Sequence, residues 1–463
     1  MRSALNKAIE SLATLTLFLG LAARAQPFRT TIVSNGPASN RLNIVFLSEA
    51  YTTNQLDQFL SDATNAANTL FSFEPYAEYR TYCNVAAISV ASNESGSDHP
   101  NSAISRDTYF NSSYDEFSDI LITIPPNEFD TNYNHGQGKV DALVKSFAPL
   151  CNLPVLLVND PIFGGSDGFD LTAITYNGSS LSEVLPHETG HVLANLGDEY
   201  SYAYPGFPDT EEPNTTRETN RASIKWDVWI STNTPIPTPP TSQYISDVGL
   251  FEGAHYHSTG WYRPKLDCTM KSFGVPFCEV CREALSLAIY QRVRPVDGFS
   301  PSSTVLFLAS TQTQAFNISV LQPATHSLTI QWFTNGVPAM DQTNSLFTVQ
   351  AHGLPGGSNV VAVAIHDPTS FVRNDPSNLV TQTLQWTVLV DAFRLDSPVA
   401  LLGDKFAFRI LGSGSQAFAI EASTNCAAWE PVATNTLSNG QFWYTNSSSG
   451  FPARFFRVTS HLP

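Results

Sequence analysis

Apolar and polar positions follow helix-like and strand-like periods through roughly the first 290 residues of the chain. Residues 42–47 form a short apolar run that predicts a buried strand, and residues 53–71 carry apolar side chains at helical spacing. Strands that alternate with helices favour an α/β (α+β) architecture for this part of the chain. The same reasoning predicts further strands at residues 85–90, 120–124 and 155–158, and helices at 140–148 and 282–289.

The pattern changes near residues 294–298, and only strands are predicted beyond that point. Apolar side chains alternate with polar ones around Trp332 and Trp386, and glycine-containing turn sequences separate the alternating segments. Residues 294–390 therefore fit an immunoglobulin-like β-sandwich, which is about 100 residues in size. Residues 391–463 repeat the alternation and predict a small C-terminal all-β module.

Residues 1–25 have the features of a secretory signal peptide. Two basic residues precede an apolar run at 12–22, and small residues around Ala25 suit signal-peptidase cleavage. The apolar run is about half of the ~20 residues needed to span a bilayer. We therefore expect a mature chain that begins at Gln26, has no stable membrane insertion, and is secreted, periplasmic or held at the cell surface.

The charge balance narrows the choice of partner. The chain has 24 Lys and Arg against 41 Asp and Glu, a formal charge of −17. Removal of the leader takes away three basic and one acidic residue, so 21 minus 40 leaves −19. This excess repels nucleic acid and anionic lipid. Neither is expected as a partner, and the sequence leaves the oligomeric state open.

Six cysteines would reach an oxidising compartment after export, where disulfides can form. Cys278 and Cys281 make a C-x-x-C pair, but no second pair and no nearby histidine pair completes a zinc knuckle. We therefore predict a disulfide from Cys268 to Cys278 or to Cys281 rather than a metal site.

The segment that carries chemistry is His187-Glu188-Thr189-Gly190-His191, an H-E-x-x-H motif. Two histidines four positions apart stand on one face of a helix and can hold one zinc ion. Glu188 then lies beside the metal, where it can act as general base on the zinc-bound water. Serines such as Ser180 can cap the helix, and Pro186 suits its first turn. A buried structural helix with two hydrogen-bonded histidines is the alternative.

A catalytic zinc ion needs three protein ligands and one open position, so a third ligand must follow the motif. Gly197 can end the helix in a left-handed conformation and turn the chain back. Asp198 is then the first candidate for the third ligand, and Glu199 is the second. Without that turn, Asp198 would stay about two helical turns from His191, too far to share a metal.

These residues resemble the IgA-specific metallo-endopeptidase family of bacterial zinc peptidases. The resemblance rests on His187-Glu188-x-x-His191 followed by Asp198-Glu199-Tyr200, and it covers residues 27–290. It implies a secreted zinc endopeptidase that acts on a protein or peptide substrate. Further blocks match in the same order at residues 43–52, 74–76, 159–160, 164–165, 262–264, 268–270 and 277–283.

The family is similar in architecture to metzincins, in which a methionine turn lies beneath the zinc. Met270 matches that methionine, and an ordinary core methionine is the alternative. The third ligand falls one position later than in usual metzincins and is an aspartate. The contact to the oxyanion or substrate stays open among side chains that can donate hydrogen bonds: Tyr262 and Arg263 first, then Tyr200, His255 and His257.

The sequence thus predicts four parts: a signal peptide (1–25), a zinc metallopeptidase catalytic domain (26–293), an immunoglobulin-like β-sandwich (294–390) and a C-terminal all-β module (391–463). A catalytically vestigial adhesin or glycan-binding protein that uses its β modules is the main alternative, and the intact Glu188 argues against it. Hydrolysis of a non-peptide amide also stays open.

Calcium is a second cofactor to consider. The loop at 93–98 is rich in oxygen ligands, and so is the segment that contains Asp160, Asp167 and Asp170. Neither has the spacing of a known calcium loop, so solvated turns are the better interpretation.

Overall fold

The computed structural model describes residues 26–116, 120–125, 136–167, 172–204, 206–309, 312–390, 393–412, 417–447 and 449–459. The predicted signal peptide and Asp170 lie outside these residues. The described chain is mostly β-structure with few helices, and it divides into two compact units. The first unit holds the described residues up to Val293 with Pro323–His326 and Thr369–Leu379, and the second holds the rest. None of the described helices combines the length and apolar character needed to cross a membrane.

Four α-helices and ten strands are described in the first unit. The helices are α1 (Leu56–Leu70), α2 (Gly136–Phe147), α3 (Leu181–Ala194) and α4 (Glu279–Tyr290). The strands are β1 (Phe28–Val33), β2 (Leu42–Glu49), β3 (Cys83–Ser89), β4 (Ser113–Glu116), β5 (Leu121–Thr123), β6 (Leu153–Val158), β7 (Gly165–Ser166), β8 (Ala173–Tyr176), β9 (Phe251–Ala254) and β10 (His257–Arg263). Each helix and strand predicted for this region has a counterpart, with bounds that differ by a few residues.

Eight of these strands form one mixed sheet in the order β1-β3-β2-β6-β8-β7-β5-β4, while β9 and β10 pair separately. The central strands β3, β2, β6 and β8 run parallel to one another. Every residue of β2 is buried, as expected for a parallel strand that is covered on both faces. This explains why β2 appears in the sequence as a nearly continuous apolar run rather than an alternating one.

Helix α3 follows β8 after a connection of only four residues. Its Val184 belongs to the same buried cluster as Ile174 and Tyr176 of β8 and Leu156 of β6. Because this apolar side packs on the sheet, the rest of the helix is held at a fixed position relative to the strands. The H-E-x-x-H motif therefore lies on a rigid element.

The second unit contains only strands and one short 3-10 segment among its described residues. The strands are β11 (Val296–Ser300), β12 (Val305–Leu308), β13 (Thr313–Val320), β14 (Thr329–Thr334), β15 (Val337–Pro338), β16 (Leu346–Gln350), β17 (Gly357–His366), β18 (Thr381–Val390), β19 (Phe393–Leu401), β20 (Lys405–Gly412), β21 (Ala417–Ser423), β22 (Glu430–Thr436), β23 (Gln441–Ser447) and β24 (Phe455–Thr459). Two sheets, β11-β13-β16 and β12-β18-β17-β14-β15, share a core that includes Trp332 and Trp386. Two smaller sheets, β19-β20-β23 and β22-β21-β24, share a second core.

Candidate functional site

Helix α3 carries all three motif residues in its middle and C-terminal part. His187 and Glu188 are buried, and His191 is partly buried. The helix begins at Leu181, so Pro186 lies in the second turn and the prediction of a first-turn proline is wrong. Ser180 occupies the N-cap position, but its side chain makes no capping hydrogen bond.

The turn required after the motif is present, but Gly197 does not make it. Helix α3 ends at Ala194, and Asn195 adopts the left-handed conformation with φ of 52°. Asparagine tolerates this region better than most residues. Gly197 serves another purpose: its N–H donates to Asn214 Oδ1 at 2.7 Å, and a Cβ there would lie 2.5 Å from the Glu212 carboxylate. The left-handed turn therefore comes two residues earlier than predicted.

That turn brings Asp198 back to the two histidines. Asp198 Oδ1 lies 3.1 Å from His187 Nε2 and 3.5 Å from His191 Nε2, and the two Nε2 atoms are 3.1 Å apart. One carboxylate oxygen of Glu188 lies within 4.8 Å of a ring nitrogen of each histidine. The structure thus brings together all four residues that the sequence predicted as general base and metal ligands.

The outer nitrogen of each imidazole is held by a backbone carbonyl. His187 Nδ1 lies 3.0 Å from Thr269 O, and His191 Nδ1 lies 2.6 Å from Leu196 O. Since a carbonyl only accepts hydrogen bonds, each Nδ1 carries a proton, and each ring in its neutral form would present an Nε2 lone pair to a metal. The two lone pairs and the Asp198 carboxylate point at one another. These electron-rich atoms repel one another unless a cation or a proton lies between them. The donor set therefore fits a divalent metal ion.

The pKa shifts of these four side chains are also those expected of a site that attracts a cation. Burial raises the pKa of Glu188 to about 7, while the nearby histidines lower it. Burial lowers the pKa of both imidazoles, but the Asp198 carboxylate outweighs it, so the pKa of His187 rises and that of His191 reaches about 10. Burial alone would raise the pKa of Asp198, but the imidazoles hold it well below its usual range. The same negative charge would favour a cation among these residues.

Tyr256 contacts this group and was missed by the sequence reasoning. Its hydroxyl donates to Asp198 Oδ2 at 2.6 Å, which leaves Oδ1 directed toward the histidines. Tyr200 lies nearby, with its ring centroid 6.1 Å from that of His187 and 5.7 Å from that of Tyr256. No spacing rule links Tyr256 to the motif, because the contact spans 58 positions.

The other residues predicted to contact the oxyanion or substrate make hydrogen bonds elsewhere in the structure. Arg263 is buried and donates through Nη1 to the carbonyl oxygens of Glu252 and Gly253 in β9. Tyr262 exchanges backbone hydrogen bonds with Thr216. Their role at an oxyanion or substrate stays a prediction. The two histidines proposed with them are also engaged, since His255 Nε2 donates to Pro208 O at 2.6 Å and His257 Nδ1 donates to His255 O at 2.6 Å.

Met270 lies against the motif helix. A Cβ built on Gly190 would be 3.2 Å from Met270 Sδ, so the glycine inside the motif allows the close approach. Met270 is fully buried and its carbonyl accepts a hydrogen bond from Glu199 N–H at 2.8 Å. Met270 therefore packs against the glycine inside the motif, and its role in a methionine turn stays a prediction.

Glu199, the second candidate for the third ligand, lies in a different group. Its carboxylate is within 4.8 Å of the sulfur atoms of Cys268, Cys278 and Cys281. All six cysteines are unpaired, so the predicted disulfide from Cys268 is wrong. Two consecutive acidic residues, Asp198 and Glu199, thus belong to two separate clusters.

The loops considered for calcium use their carboxylates as hydrogen-bond acceptors. Asp160 Oδ2 accepts from Ser97 N–H at 2.9 Å and lies 3.0 Å from His99 Nε2, while its Oδ1 accepts from Ile162 N–H at 2.9 Å. In the other loop, Glu94 accepts from a backbone N–H at 2.8 Å. These contacts give both loops a structural explanation.

A helix that carries two histidines and a glutamate, with an aspartate turned back onto them, is the kind of centre found in metallopeptidases. A family model described as IgA Peptidase M64 matches residues 30–246 and 240–289. The chain belongs to this family, which indicates a peptidase that acts on a protein or peptide substrate. No curated protein matches the chain by sequence.

Solved structures give only distant likenesses. An apo structure of Bacteroides uniformis beta-glucuronidase 3 is 11% identical with a TM-score of 0.15, covering 44% of this chain and 27% of that one. Three N-terminal domains of the bacteriophage RB49 highly immunogenic outer capsid protein are 11% identical with a TM-score of 0.17, covering 33% and 57%. The human OSCAR ligand-binding domain is 17% identical with a TM-score of 0.13, covering 34% and 86%. At these TM-scores the likenesses carry no inference about fold or function.

Proposed function

We propose that the chain is a secreted zinc-dependent endopeptidase that hydrolyses peptide bonds at the cluster of His187, Glu188, His191 and Asp198, called the α3 cluster below. The observation that carries this proposal is the convergence of His187 Nε2, His191 Nε2 and Asp198 Oδ1 within 3.5 Å of one another. Two imidazole nitrogens and one carboxylate oxygen make a typical three-ligand set for a catalytic zinc ion with one open position. A bound zinc ion would lower the pKa of a water molecule and polarise the scissile carbonyl.

The remaining chemistry comes from the chain itself. Glu188 lies between the two histidines in sequence and beside them in space. In the proposed reaction its carboxylate would take a proton from the attacking water and pass it to the leaving amine. Thr269 and Leu196 hold the imidazoles in one tautomer through their carbonyl groups. Tyr256 orients Asp198. Tyr200, with its ring centroid 6.1 Å from that of His187, would donate a hydrogen bond to the substrate or oxyanion.

The finer architecture and location belong to the same proposal. Residues 26–293 would form a metzincin-like catalytic domain with Met270 in the methionine turn, followed by an immunoglobulin-like sandwich (294–390) and a C-terminal all-β module (391–463). The shared core around Trp332 and Trp386 supports the sandwich interpretation. Cleavage near Ala25 would release the mature chain from the cell or into the periplasm.

The proposal is tested by comparing residues 26–463 with the Glu188→Gln variant, which keeps the shape of the side chain and removes its basicity. We expect one zinc ion in the α3 cluster of each protein, and cleavage of a denatured protein substrate that a chelator abolishes. Glu188→Gln should lower kcat by about 10²- to 10⁴-fold, the usual contribution of a general base. Equal cleavage by both proteins would refute the peptidase site. Zinc binding without any cleavage by the parent chain would favour the adhesin alternative.

A further inference from the structure

A second cluster of metal-ligating side chains lies apart from the α3 cluster and has no part in the reaction proposed above. Three cysteines and one glutamate contribute ligand atoms that all lie within 4.8 Å of one another, and all four residues are fully or almost fully buried. Cys281 Sγ is 3.6 Å from Cys268 Sγ, 3.5 Å from Cys278 Sγ and 3.7 Å from Glu199 Oε1.

These distances suit a tetrahedral metal ion better than a disulfide. Sulfur atoms bound to one zinc ion at about 2.3 Å lie about 3.8 Å apart in a tetrahedron, whereas a disulfide needs about 2.05 Å. Cys281 Sγ lies at such a distance from three other ligand atoms at once, and a disulfide could explain only one of these contacts. Pairing any two of the sulfurs would also leave a buried thiol and a buried carboxylate together.

One helix N-terminus and two hydrogen bonds meet the sulfur and carboxylate atoms of the cluster. Cys278 is the N-cap residue of α4, where the helix dipole stabilises a thiolate. Its backbone N–H donates to Cys268 Sγ at 3.2 Å, so that sulfur also receives a hydrogen bond. Glu199 Oε1 accepts from Asn214 Nδ2 at 3.0 Å, while the buried Glu199 Oε2 has no hydrogen-bond partner in the described chain. An unpartnered buried carboxylate oxygen beside three thiols is costly without a cation.

We propose that Glu199, Cys268, Cys278 and Cys281 bind a second, structural zinc ion. Three thiolates and one carboxylate fill the four positions of a closed zinc site, which leaves none for water or substrate. Binding releases one proton from each thiol that is protonated beforehand.

Such a site would connect two segments that also build the α3 cluster to the start of α4. Glu199 follows Asp198 directly, and Cys268 precedes Thr269, whose carbonyl holds His187, and Met270. Cys278 and Cys281 anchor these two segments to the first turn of α4. The second ion therefore acts as a positioning element, and its presence does not depend on whether the chain cleaves peptides.

The test counts metal and identifies its ligands rather than measuring activity. The His187→Ala/His191→Ala double variant of residues 26–463, purified with zinc, should retain one zinc ion per chain where the parent has two. X-ray absorption of that variant should show sulfur neighbours at about 2.3 Å. Cys278→Ser in the same background should lose this zinc ion, whereas Cys83→Ser, a buried cysteine outside the cluster, should keep it.

A thiol titration completes the test and does not need any variant to fold. After denaturation with chelator and without reductant, the parent chain should release six titratable thiols. Four thiols would mean that a disulfide replaces the site and would overturn the proposal. So would a double-histidine variant that holds no zinc, or one whose zinc has only nitrogen and oxygen neighbours.

Discussion

Tyr256 lies beside the α3 cluster and supports it through a single hydrogen bond. Its hydroxyl donates to Asp198 Oδ2 at 2.6 Å, a distance typical of a hydroxyl bound to an ionised carboxylate. With Oδ2 held in this way, Oδ1 stays directed at the two Nε2 atoms. The Tyr256→Phe variant removes the hydroxyl and keeps the ring, which packs against Phe207 and Tyr200.

The expected effect is a loss of zinc affinity. Removing a partner that orients a metal ligand weakens binding by about 10- to 100-fold, which corresponds to about 1.4–2.7 kcal/mol. A hydrogen bond to a charged group contributes about 1.5–3 kcal/mol, so the two magnitudes agree. We therefore expect Tyr256→Phe to raise the zinc dissociation constant by this factor, because Asp198 must lose rotamer freedom when the metal binds.

The assay is competition with a chelator of known affinity, with Tyr204→Phe as the matched control. Tyr204 belongs to the same aromatic group, with its ring centroid 6.0 Å from that of Tyr256. The control should bind zinc as the parent does, and both variants should keep the circular dichroism spectrum of the parent. If Tyr256→Phe binds zinc as tightly as the parent or more tightly, the hydrogen bond does not orient Asp198, and the reasoning is refuted.

Three further predictions concern other contacts. Gly165→Ala should lower kcat by about 10- to 100-fold while zinc is retained, because the added Cβ would lie 2.7 Å from Glu188 Oε1 and displace the general base. Unchanged steady-state kinetics would contradict this prediction. Hydrogen bonds from Thr325 and a neighbouring histidine lower the pKa of Glu78 even though burial raises it. Glu78→Gln should therefore destabilise the chain at pH 7, and the loss should shrink as the pH falls below about 4.5, the ordinary pKa of a glutamate side chain. A loss of stability that does not depend on pH in urea unfolding would exclude this linkage. Asn195→Val should cost about 1–2 kcal/mol of unfolding free energy, while Asn195→Gly should be nearly neutral, because φ is 52°; equal destabilisation by both would show that the left-handed turn does not matter.

Local patterns were enough to predict the elements that carry the candidate site. The apolar run of β2 and the helical spacing of α1 depend on side chains a few positions apart, and such periodicity is visible in any single sequence. The two histidines of α3 are likewise four positions apart on a single turn of helix. The sequence therefore predicted the H-E-x-x-H helix and the need for a turn after it.

The position of the turn was harder to predict, since several residues can adopt the left-handed conformation. Gly197 was the natural choice because glycine has no Cβ, but the structure uses Asn195. Gly197 is required instead by the approach of Glu212 and Asn214, residues that the helix pattern does not include. A glycine thus has more than one physical explanation, and only the packing around it distinguishes them.

The sequence by itself determined the motif helix, the family and a pair of acidic candidates, Asp198 and Glu199. Only the tertiary structure decided that Asp198 turns toward the histidines while Glu199 turns toward three cysteines. It also brought Tyr256 to Asp198 across 58 positions. The physical reason is that periodicity records contacts between near neighbours in the chain, whereas these contacts depend on how distant segments pack, and no local pattern encodes that.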